Sequence, residues 1–117
     1  MRVYRGYDIR YENYGSPSNQ PIWVTASIFY ATRYAERMQG RVVQFDLDPD
    51  DLKLYPGIHY TPVPEQFRRK VLKSGCNACV TKYGFDCMGN EQVGWSIFDK
   101  KILKNPKIII YFDYESR

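Results

Sequence analysis

Apolar and polar residues alternate along residues 2–9, Arg-Val-Tyr-Arg-Gly-Tyr-Asp-Ile, with the period of two that a half-buried strand requires. Gly6 interrupts this strand, and such a glycine often marks close approach of another backbone or a ligand. Residues 12–21 are dense in turn formers and predict an exposed loop, after which Ile22-Trp23-Val24-Thr25 predicts a short strand stopping at Ala26. From Ser27 the period changes. Ile28, Ala31, Ala35 and Met38 recur at helical spacing with Tyr34 beside the stripe, Ser27 as N-cap and Gly40 in the C′ position. Residues 41–48 predict a strand ending at Pro49. Leu52 and Leu54 then lead into a loop holding Pro56, Gly57, Pro62 and Pro64. Pro64 opens a predicted second helix that runs through Phe67, Val71, Leu72 and Cys79 to Lys82, weakened by Gly75. Strands at 83–88, 95–99 and 108–112 follow, the first two separated by a turn at 89–92. Irregular alternation ending in consecutive strands predicts an α+β fold with a largely antiparallel sheet or a split pair of sheets.

The chain's 117 residues match one domain, 1–117, with a core large enough to hold without staples. No apolar run approaches the ~20 residues of a membrane-spanning helix. The first five residues, Met-Arg-Val-Tyr-Arg, lack the apolar region of a secretory signal, so the expected location is the cytoplasm. Three cysteines without an export signal point to thiols and not to a disulfide framework. A formal charge of +4 allows weak attraction to polyanions without demonstrating nucleic-acid binding. Aromatic residues make up 16% of the chain; most are expected in a strand-rich core, with some left to line a pocket.

Cys76-x-x-Cys79, Cys87 and His59 supply residue types that bind zinc. The loose spacing after Cys79, with Cys76 and Cys79 expected on one helix face, favours buried thiols, and no metal is expected. His59 is the only histidine, which leaves no Ser-His-Asp or Cys-His set, and no glycine-rich phosphate loop is present. Arg68-Arg69-Lys70 reads as the solvated face of the second helix, and Lys100-Lys101 with Lys104 as the flank of a strand.

Three separated segments carry a family resemblance. Tyr4-Arg5-Gly6, then Ile22-Trp23-Val24-Thr25-Ala26-Ser27 leading to Ala31 and Tyr34-Ala35, then Gly84-Phe85-Asp86 with Glu91 and the strand Trp95-Ser96-Ile97-Phe98-Asp99 resemble the three motif regions of the ADP-ribosyltransferase superfamily. The small phage and bacterial members, including the anti-CRISPR type, are the most similar, and the resemblance covers residues 3–99. It implies split antiparallel sheets with two main helices, NAD as co-substrate and transfer of ADP-ribose to a macromolecule, a host protein for an effector acting in the host cytoplasm. In that family the first strand carries Arg or His followed by Gly, the helix after the second strand bears an aromatic residue that flanks nicotinamide, and a late strand presents a catalytic Glu.

The residues suit these roles physically. Breaking the bond from nicotinamide to ribose passes through an oxocarbenium-like state, so a site must hold a cationic sugar, an anionic pyrophosphate and a leaving aromatic amide. Arg5 can bind phosphate oxygens bidentately. Gly6 lets backbone groups reach the carboxamide. Tyr34 can stack on the nicotinamide ring, with Trp23 as floor or opposite wall. Glu91 is the candidate acid, supported by Thr25 or Ser27. The same residues also fit plainer roles: Arg5 in a surface ion pair, Trp23 and Tyr34 as core rings, Ser27 as a helix cap. Counting back from Phe98-Asp99 places Gly94 where many family members carry the acid. That leaves three alternatives: Glu91 brought in by a turn or bulge, Asp86 as the acid, or a catalytically inactive fold that binds a protein partner. A small basic nucleic-acid-binding protein remains a further alternative.

Overall fold

The computed structural model describes residues 1–16, 20–60, 63–85 and 91–113. In chain order it contains β1 (Arg2–Tyr7), α1 (Glu12–Gly15), β2 (Ile22–Val24), α2 (Ile28–Met38), β3 (Arg41–Asp46), β4 (Leu54–Tyr60), α3 (Glu65–Lys73), β5 (Ala78–Phe85), β6 (Glu91–Ile97) and β7 (Lys104–Tyr111). The strands form two sheets, ordered β1-β3-β7 and β2-β6-β5-β4. All pairs are antiparallel except β4–β5, which is parallel and connected through α3. The fold is thus α+β, with two sheets and three helices among the described residues. Asp86, Cys87 and the first half of the turn predicted at 89–92 lie outside them, and its second half, Glu91 and Gln92, belongs to β6.

Side-chain alternation builds three layers of packing. Val3 and Tyr7 of β1, Val43 and Phe45 of β3, Ile22 and Val24 of β2, Ala78 of β5 and Ile97 of β6 meet between the sheets as one buried cluster. Each valine, isoleucine or phenylalanine side chain of this cluster contributes about 1.5–3 kcal/mol when fully buried. On the outer face of the first sheet, Ala31 and Ala35 of α2 pack with Val42 and Tyr4. On the outer face of the second, Val71 and Phe67 of α3 pack with Cys79 and Phe98.

Helix α2 begins as its sequence predicts, with the Ser27 hydroxyl accepting from the Tyr30 amide at 3.1 Å. Its end differs. Gln39 is the left-handed residue, at φ 51°, whereas Gly40 is required because a Cβ there would lie 1.8 Å from the Tyr7 carbonyl oxygen.

Three predicted elements are corrected. Residues 12–21, expected as an exposed loop, include α1, whose Tyr14 packs on the core, and the buried Ser16. The second helix ends at Lys73, not Lys82: Gly75, at φ 85°, turns the chain, and the β-branched and aromatic run from Ala78 enters a strand. Cys76 and Cys79 therefore do not share a helix face; Cys76 follows the helix and Cys79 is buried in β5. The proline-containing segment read as a loop forms β4, an edge strand with a register shift between Tyr55 and Ile58 that accommodates Pro56 and Gly57. His59 Nε2 lies 2.9 Å from the Pro56 carbonyl oxygen and donates to it in the Nε2–H tautomer. The only histidine thus pins this bulge. Strands β6 and β7 both start earlier than predicted, at Glu91 and Lys104.

Candidate functional site

The two sheets meet where Tyr4 and Thr25 form an antiparallel bridge. Arg5, the residue after Tyr4, extends along β2: its Nη1 donates to the Trp23 carbonyl at 3.0 Å, and its Nε donates to the Tyr14 carbonyl. The second acceptor is fixed by packing, because the Tyr14 ring meets Tyr7 at 5.5 Å and Phe45 at 5.2 Å, both edge to face. A guanidinium held by two carbonyls is positioned before any ligand arrives.

Further cations lie near it. Burial pushes the Lys100 ammonium below the ordinary lysine value, and the neighbouring Arg68 and Arg5 guanidinium groups push it further. Lys100 opens a short 3-10 turn after β6, capped by Asp99, whose carboxylate accepts from the Lys101 amide at 3.1 Å. Arg68 comes from α3, where it also reaches Glu65 at 3.4 Å. The half-buried Lys100 ammonium thus feels both guanidinium groups, and an anion bound beside it would relieve that repulsion. The sequence pattern alone assigns Arg68 and Lys100 to solvated flanks, and nothing in it marks the electrostatic link of Lys100 to Arg68 and Arg5.

The remaining predicted residues fall into two groups. Thr25 and Ser27 build the corner between β2 and α2: Thr25 Oγ1 accepts from the Ser27 amide at 3.1 Å, and Ser27 caps the helix. Gly6 lies against α2, where a Cβ would come within 2.2 Å of the Ala31 carbonyl oxygen and 2.9 Å of the Ala35 nitrogen. Helix packing alone therefore demands this glycine. Tyr34 is half-buried on the same helix, one residue before Ala35. Trp23 is buried on the face of its sheet opposite Ile22 and Val24; it donates from Nε1 to the Thr81 carbonyl at 3.3 Å and meets Tyr30 edge to face at 5.7 Å.

Gly94 lies beneath that indole. A Cβ at position 94 would be 2.2 Å from the Val24 carbonyl oxygen and 2.6 Å from Trp23 Cζ2, so no side chain fits where the family's acid is expected. Glu91 opens β6, its backbone paired with Phe85. Since Val24 pairs with Trp95, Glu91 starts three residues beyond the level of Thr25, about 10 Å of strand.

Among the described residues, no group of three or more His, Cys, Asp or Glu could hold a metal ion, and no helix is long and apolar enough to cross a membrane. An open groove of about 590 Å³ lies at the other end of β1, between Arg2, Asp48 and Lys104, apart from the Arg5 cluster. Comparison with models of protein families, with curated proteins and with solved structures finds no match for this chain.

Proposed function

We propose that this chain is an ADP-ribosyltransferase-like domain that binds NAD and transfers ADP-ribose to a macromolecular acceptor, a protein by preference, releasing nicotinamide. The observation that carries this reading is Arg5, held by two carbonyls at the junction of two sheets. A diphosphate matches that charge and that geometry.

In the reaction the bond between ribose C1′ and the nicotinamide nitrogen breaks, its electron pair leaving with nicotinamide, while an acceptor nucleophile bonds to C1′ and loses its proton. Arg5, with Lys100 and Arg68, holds the pyrophosphate. Tyr34 borders the nicotinamide end, and Gly6 acts by letting the helix that carries Tyr34 pack closely on β1. The carboxylate that stabilises positive charge on the sugar is assigned to Glu91, with Asp86 the competing choice. Trp23 supports the site through the packing of its indole and through its carbonyl, which accepts from Arg5.

A second reading rests on Gly94. The close contact of β2 excludes any acid there, which favours a catalytically silent protein that keeps the fold and acts by binding a partner. Nicotinamide release from NAD in the presence of a host lysate separates the two. Release that falls about 10²–10³-fold in Glu91→Gln and persists in Asp86→Asn supports the transferase with Glu91 as the acid; the reverse pattern assigns Asp86. No release from the wild type leaves the silent reading standing.

A further inference from the structure

The inner face of the second sheet is covered at one end and open at the other. Ile22, Ile97 and Ala78 form a row across β2, β6 and β5 inside the core between the sheets. Two rows further along, Val93, Lys82 and Tyr60 are consecutive cross-strand neighbours on that face. Tyr60 is 63% exposed and Val93 52%. In the row between, Trp95 and Val80 are half-buried and Ile58 is 59% exposed. The ammonium of Lys82 lies 5.8 Å from the centroid of the Tyr60 ring. Lys82 is the one charged residue in these two rows.

We propose that this open face binds single-stranded nucleic acid. A solvent-exposed tyrosine on a sheet face, bordered by apolar side chains and accompanied by a lysine, offers a stacking platform for an unpaired base with a cation beside it for the phosphate chain. Every base presents a π-face, so the recognition tolerates sequence. A duplex hides those faces, so a single strand is the form that fits. The positive net charge of the chain, +4 with a pI of about 9.0, complements a polyanion. Binding at this face does not depend on the transferase reading.

The test is fluorescence anisotropy with a labelled oligothymidine at low salt, using the full chain. Tyr60→Ala should weaken binding about tenfold or more and Tyr60→Phe should retain it. Lys82→Gln should flatten the dependence of log affinity on log salt by about 0.7. Because Tyr60 is exposed, both tyrosine variants should melt like the wild type, and their thermal scans verify this. Equal binding of the wild type and Tyr60→Ala, or equal binding of the duplex form, overturns the proposal in favour of unspecific attraction to phosphate. Absence of oligonucleotide binding overturns it too and leaves the face to a protein partner.

Discussion

Tyr4 and Thr25 exchange a reciprocal pair of backbone hydrogen bonds, Tyr4 N to Thr25 O at 2.8 Å and Thr25 N to Tyr4 O at 2.9 Å. This exchange ties the outer strand of one sheet to that of the other. It also sets the course of both segments beyond the bridge: Arg5 comes next on β1, and the turn into α2 comes next after Thr25. The candidate site is a consequence of where two sheets touch.

Three glycines should respond to alanine in a graded way. Gly6→Ala and Gly94→Ala drive a methyl group into backbone oxygens at 2.2 Å, and each should destabilise the fold by about 3 kcal/mol or more. A Cβ added at Gly75 would meet nothing within 4 Å, and the residue adopts φ 85°, so Gly75→Ala should cost only about 1 kcal/mol, from the left-handed backbone. Urea unfolding of the three variants checks the order; an equal cost at all three positions would contradict the packing described.

Lys100 sets stability against binding. Its ammonium is disfavoured by burial and by two guanidinium groups, so its depressed folded value carries a penalty that is present at neutral pH and relieved as pH rises toward the ordinary lysine range. Lys100→Met should therefore raise the melting temperature of the ligand-free protein while reducing the shift produced by saturating NAD. A lower ligand-free melting temperature would show that Lys100 is not under electrostatic strain.

Acid and alkali should act through neighbouring residues. Arg10 holds the Asp8 carboxyl below its ordinary value of 3.8 through side-chain and backbone hydrogen bonds. The stability this gives is present above that value and is lost as pH falls through the folded one. Burial pushes the Tyr7 hydroxyl above its ordinary value of 10.0, so the neutral phenol's contribution is complete below pH 10 and is lost as pH rises through the raised value. Melting curves across pH should show both limbs. Asp8→Asn should flatten the acid limb and leave the alkaline one.

The two described thiols should differ in reactivity. Burial raises the Cys79 thiol above its ordinary value and its hydrogen bond with the Thr81 hydroxyl only partly offsets this, while Cys76 is half-buried after α3. In a Cys87→Ser background, a thiol reagent should label Cys76 in the folded protein and Cys79 only on unfolding. Fast labelling at Cys79 would place it outside the core.

Local pattern makes the elements around β1, β2 and α2 legible, because each obeys a single rule: alternation in Val3, Arg5 and Tyr7, a helical stripe in Ala31 and Ala35, a cap in Ser27. The region from Leu54 to Lys82 misleads because two rules compete there. Pro56 and Gly57 argue for a loop, yet an edge strand tolerates both at a bulge; Val71, Leu72 and Cys79 keep helical spacing across a turn that Gly75 makes. At the site, Arg5 and the β2–α2 corner are readable as local sequence. The Tyr14 carbonyl, Arg68 and Lys100 are not, since a backbone oxygen has no sequence signature and cations brought together by long-range packing leave no spacing to read. The glycines give only half their meaning: the sequence marks close approach at Gly6 without saying that a helix is what approaches, and it leaves the indole over Gly94 unannounced.

The bulge at Pro56 and Gly57 also governs how copies of the molecule behave toward one another. β4 is the outermost of its four strands, and an outer strand with open N–H and C=O groups is a template on which another chain can assemble. Here the seven-residue ladder is broken in its middle: Pro56 offers no N–H, Gly57 runs at φ 94°, and His59 clamps the distortion from the far side. What remains are two fragments too short to recruit a neighbour. Ile58 and Tyr60 thus face water beside a strand edge whose break works against edge-to-edge pairing with another copy.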